Sequence, residues 1–85
     1  MGQKYIIMCR SLTYAQRASK LLERSGISSA ITKAPQGVTV SGCSFGVRVQ
    51  GRHVKNALNL VRSSGITVGK IFALDESGRA SEVSL

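Results

Sequence analysis

Eighty-five residues, 42% of them hydrophobic, suffice for one domain with a real core and are too apolar for a disordered chain. One His, four acidic residues and no Trp exclude most catalytic and metal constellations by inventory, and two cysteines with His53 make only a weak zinc ligand set. Residues 1–74 hold eleven of the twelve Lys and Arg against a single acid, Glu23, a net charge of +10 that attracts anions of every kind without choosing among them.

Met1-Gly2-Gln3-Lys4 leads into the longest apolar run, Ile6-Ile7-Met8-Cys9, with no signal-peptide core and nothing long enough to span a membrane. The chain therefore reads as cytoplasmic, with its cysteines as free thiols. Tyr5–Cys9 predicts a strand that is apolar on both sides. Tyr5, Ile7 and Cys9 share one side, Ile6 and Met8 the other, and the second of these suits a homodimer joined through its sheet. A helix follows, capped by Thr13 with Gln16 in a Thr-x-x-Gln box, with Ala15, Ala18 and Leu22 inward and Ser25-Gly26-Ile27 as its stop. Ser29–Lys33 predicts a second strand.

Pro35, Gly37 and Gly42 belong to a loop that ends in Ser41-Gly42-Cys43-Ser44, and the alternating strand Phe45–Val49 comes next. A thiol at a strand's mouth meets solvent and reagents, whereas Cys9 reads first as a core residue. The second helix, about His53 to Ser64, buries Val54, Ala57, Leu58 and Val61. It repeats the first at an offset of 39, Ala57–Ile66 on Ala18–Ile27, and closes with the same Ser-Gly-Ile. Thr67–Leu74 is the last predicted strand, and residues 75–85, polar and without an apolar run, read as a flexible tail.

The order β-α-β-β-α-β predicts an α+β, ferredoxin-like sandwich over residues 1–74, a four-stranded antiparallel sheet with both helices on one face. In that topology the first and third strands are antiparallel neighbours. Cys9 and Cys43 then share one sheet edge near the start of the first helix, whose N-terminus, with Arg10, stabilises a thiolate. Arg48 alternates against Phe45, Val47 and Val49 and so belongs to the open sheet face.

The chain also resembles the selenium/sulfur carrier family of small bacterial domains. Arg10-Ser11-Leu12-Thr13-Tyr14-Ala15 looks like that family's helix start, Ser25-Gly26-Ile27 its stop, Pro35 its loop, and Cys43-Ser44-Phe45-Gly46-Val47-Arg48-Val49 its cysteine signature. Ser44 stands where the family has a glycine. The resemblance covers about residues 4–72 and implies a carrier rather than a stand-alone enzyme. Cys43 would hold sulfur or selenium as a persulfide or selenosulfide, and Cys9 would be a resolving thiol. Arg48 would attract an anionic donor, Arg10 would lower a thiol pKa, Ser44 is the third binding candidate, the partners would be donor and acceptor proteins, and no cofactor or metal is implied.

Two other classes compete. The sandwich and the charge suit a nucleic-acid-binding module, but such modules stack bases on aromatics of the central strands, and Phe45 and Tyr5 are in phase with the helix-facing residues. A sheet-dimerised, small-ligand-sensing domain is the other.

Overall fold

Each Ser-Gly-Ile segment stops a helix by the same hydrogen bonds. In a computed structural model that describes residues 3–34 and 45–85, the first helix, α1 (Leu12–Arg24), ends where the Gly26 N–H donates to Glu23 O and the Ile27 N–H to Leu22 O. The second, α2 (Val54–Ser63), ends with Gly65 N–H on Arg62 O and Ile66 N–H on Val61 O. This is the Schellman arrangement, and it requires a left-handed residue after the cap. Gly26 has φ 81° and Gly65 φ 86°. Each following isoleucine is buried, so the chain turns from helix to strand with its apolar side already inward.

The strands are β1 (Lys4–Cys9), β2 (Ser29–Lys33), β3 (Phe45–Gln50), β4 (Val68–Leu74) and β5 (Ala80–Val83). All pair antiparallel in the order β2-β3-β1-β4-β5. The chain is thus a small α+β protein with two helices and a five-stranded antiparallel sheet. Ala15, Ala18 and Leu22 of α1 join Val54, Ala57, Leu58 and Val61 of α2 in one core with Ile7, Cys9, Val47, Val49 and Ile71 of the sheet. A helix-period stripe on each helix thereby meets the period-2 rows of three central strands.

Three expectations are corrected. The sheet has five strands where four were expected, and part of the segment read as a tail forms the fifth. Its signal was the turn Asp75-Glu76-Ser77-Gly78-Arg79, which outweighs the weak apolarity of Ala80–Val83. The Asp75 Oδ1 accepts from the Ser77 N–H at 2.9 Å, the Ser77 hydroxyl at 2.6 Å and the Arg79 N–H at 2.9 Å, and Gly78 takes φ 84°. Val83, opposite Ile71, then packs against the helix-side core.

Second, α1 starts one residue after Ser11, not after Thr13. Ser11 is extended, its hydroxyl accepts the Tyr14 N–H at 3.4 Å, and Thr13 is already inside the helix. Third, the side of β1 that would suit a sheet-to-sheet dimer is closed within a single chain. Ile6, Met8 and Phe72 are buried together, with Ala34, Leu74 and Ala80 against them. Among the described residues no helix is long and apolar enough to cross a membrane.

Candidate functional site

β1 is central and apolar on both sides, and burial increases along it from exposed Lys4 to buried Cys9. Cys9 is fully buried on the helix side, and its thiol lies 3.7 Å from the Ile7 carbonyl oxygen. The register sets a row across this edge of the sheet: Lys33 of β2, Phe45 of β3, Cys9 of β1 and Val68 of β4. Between Ile7 and Cys9 the β1–β4 pairing slips, with Ile7 opposite Ile71 and Cys9 opposite Val68, so β4 carries one extra residue. Such a bulge bends its strand and re-aims nearby side chains, a device common beside functional sites.

Arg10 follows Cys9 into solvent, and Ser11 begins the α1 cap. Arg17 stands over the Tyr14 ring at 5.8 Å from its centroid, a second cation near the start of the helix. No acid occupies the first turn of α1. The acids lie elsewhere. Glu23 is at the far end of α1, Asp75 and Glu76 follow Leu74, which pairs with Lys4 at the opposite sheet edge, and Glu82 pairs with Lys70 at 3.5 Å. The Cys9 edge is therefore cationic, with Lys33 in its row and Arg10 beside it.

Cys43 and Ser44, with Pro35, Gly37 and Gly42, lie outside the described residues. Arg48 is not brought to Cys9. It is exposed in the row Ala30, Arg48, Ile6 and Phe72, on the sheet face away from the helices, three positions along β3 from Phe45. At the usual strand rise that separation is about 10 Å along the sheet, in addition to the change of face. Arg48 instead borders a cavity of about 530 Å³ with Gln3, Lys4, Leu74, Asp75, Glu76 and Gly78.

The register also singles out Gly46, whose role the alternating pattern did not reveal. A Cβ there would lie 2.8 Å from the Ile6 Cγ2, 2.8 Å from the Ile7 carbonyl oxygen and 3.0 Å from the Met8 sulfur. Only a residue without a side chain lets β3 close on β1 at the step beside the Cys9 row. Strand alternation puts Gly46 on the open face, but its need to be glycine depends on what stands opposite.

Tyr5 and Phe45 both pack against the helix-side core, and Phe72, on the other face, is buried. Among the described residues β1 and β3 thus present no aromatic ring on the open face for a base to stack on. No three of His, Cys, Asp and Glu come together there as a metal centre would need.

Among families of known proteins, the one described as "Putative Se/S carrier protein-like" matches residues 4–73. No curated protein and no solved structure matches the chain.

Proposed function

The chain belongs to this Se/S carrier-like family, and from that premise we propose that it carries selenium or sulfur on the Cys43 thiol and passes it between donor and acceptor proteins. The fold goes with this reading, since β1 to β4 follow the ferredoxin-like order expected from the sequence and β5 extends it. The observation that carries the proposal is the pairing of Cys9 with Phe45. Cys43 is two residues before Phe45, a length of chain that spans at most about 7 Å. On this reading the two thiols work together at the edge that ends with Cys9, where the described residues include Arg10 and Lys33 and no acid stands in the row.

Loading needs no oxidant. The Cys43 thiolate attacks the outer chalcogen of a donor persulfide or selenosulfide, a bond forms from Cys43 sulfur to that atom, the donor's chalcogen bond breaks, and the donor leaves as a thiolate. The proton stays on the transferred atom. Unloading to an acceptor thiolate repeats the exchange in reverse. Alternatively the Cys9 thiolate attacks the Cys43 sulfur, a Cys9–Cys43 disulfide forms, and the chalcogen leaves as hydrosulfide or hydroselenide. An external thiol must then reduce the disulfide. Cys9 is fully buried, so this second route requires a local opening that brings its thiol to the Cys43 sulfur.

Intact-mass analysis of protein exposed to polysulfide, or to selenite with glutathione, tests the reading. Wild type and Cys9→Ala are expected to gain about 32 or about 79 Da, the mass of one sulfur or selenium atom, lost on reduction, and Cys43→Ser to gain neither. An adduct undiminished in Cys43→Ser, or absent from all three proteins, overturns it.

A further inference from the structure

The cavity beside Arg48 is at the other edge of the sheet from Cys9 and on its other face, so what it does is separable from thiol chemistry. It is lined by two cations, Lys4 and Arg48, and two carboxylates, Asp75 and Glu76. Among the described residues these four make no ion pair with one another; the pair formed is Lys70 with Glu82. Opposite charges facing a shared hollow without neutralising each other leave both signs available to a ligand.

Their placement is fixed by secondary structure. Lys4 and Arg48 project from the central strands β1 and β3, while Asp75 and Glu76 begin the turn after β4. Two strand spacings, about 10 Å, separate β3 from β4. The turn holds the carboxylate side still. Asp75 anchors it through Ser77 and Arg79, and the same bonds keep its carboxyl below its ordinary range and so ionised. Leu74 supplies an apolar wall between the two charged sides, and a smaller hollow of about 140 Å³ with Ser28 and Ser29 adjoins the same two cations.

A multiply charged anion would meet Asp75 and Glu76, and a cation would meet Lys4 and Arg48. A molecule carrying one group of each sign satisfies both sides. The volume lies in the range of small-molecule sites. We propose that this cavity binds a small zwitterion, an amino acid or dipeptide, with its carboxylate toward Arg48 and Lys4 and its ammonium group toward Glu76 and Asp75.

The test is amide chemical-shift titration of the full chain with L-alanine and L-alanyl-L-alanine, beside N-acetyl-L-alanine, which lacks the ammonium group, and L-alaninamide, which lacks the carboxylate. Saturable shifts at Lys4, Arg48, Asp75 and Glu76 are expected with at least one zwitterion, and each blocked analogue of alanine is expected to bind less tightly than its zwitterion. Losing one charge-assisted partner weakens binding about tenfold or more. Arg48→Ala should weaken the zwitterion by that factor and leave L-alaninamide bound no more weakly, whereas Glu76→Gln should weaken the zwitterion likewise and leave N-acetyl-L-alanine bound no more weakly. The proposal is overturned by equal responses to the zwitterion and its blocked forms, by no saturable shift up to about 10 mM, a dissociation free energy under about 3 kcal/mol, or by an Arg48→Ala protein that binds as wild type.

Discussion

Cys9, the last residue of β1, stands directly opposite Phe45, the first residue of β3. This pairing ties a fully buried thiol to the strand that follows Cys43 in the chain, and the proposed reading gives the two cysteines different roles. Cys9 is closed to solvent by the core. Brief iodoacetamide treatment of the native protein, followed by peptide mapping, should label Cys43 first and leave Cys9 unmodified until denaturant is added. Label on the Cys9 peptide at the rate of the Cys43 peptide would refute the assignment.

Gly46→Ala should destabilise the protein by about 1–3 kcal/mol, the cost of forcing a methyl group into a filled space. Two of its three closest neighbours, the Ile6 methyl and the Met8 sulfur, can shift, but the Ile7 carbonyl oxygen belongs to the backbone of the central strand. Denaturant melts compared with wild type measure the loss, and a variant as stable as wild type would mean that β1 and β3 do not approach as closely as their register shows.

Gly65→Ala probes a different cost at a similar scale. No atom lies within 4 Å of a Cβ built there, so the penalty comes from φ 86° alone. Holding an alanine left-handed costs about 1–2 kcal/mol, partly offset by the restricted unfolded chain, and the net should lower the melting temperature by several degrees. Gly26→Ala should behave alike, since its stop is built the same way. Asparagine at either position should cost less than alanine, and calorimetry of the paired variants orders them.

The β4–β5 hairpin should loosen in acid. The carboxyl of Asp75 is held below its ordinary range chiefly by the Ser77 hydroxyl, with the Arg79 and Ser77 amides and the Arg79 charge assisting. A depressed folded value means that the stabilisation is present above the unfolded titration range, near pH 4, and is lost as pH falls through the folded value. Amide shifts of Ser77 and Arg79 should therefore titrate below that pH, and hydrogen exchange in Ala80–Val83 should quicken with them. Asp75→Ala should show the faster exchange at neutral pH. Unchanged protection in that variant would mean that the turn does not depend on the carboxylate.

The local structure was legible because short-range rules governed it. Ser-Gly-Ile ends a helix wherever the next residues turn away from it, so both stops and the four buried positions of α2 could be read from spacing. The same holds for the side of β1 that carries Tyr5, Ile7 and Cys9, which follows from a period of two. Spacing does not fix the helix start, because Ser11 and Thr13 are both good caps and it is Ser11 whose hydroxyl accepts the Tyr14 N–H. β5 was missed because four residues of modest apolarity become a strand only when an edge is offered to them, and that edge belongs to β4.

What neither composition nor periodicity could supply was adjacency across the sheet. That Gly46 must be bare depends on Ile7 and Met8, 39 and 38 positions earlier. That Arg48 stands with Lys4, Asp75 and Glu76, away from Cys9, depends on two strand registers at once. A chain's own sequence determines which side of an element is apolar and where the element stops, since those follow from residues within one or two turns. Which side chains face one another over a shared hollow is decided only when the strands pair, because a shift of one residue in register would exchange every face.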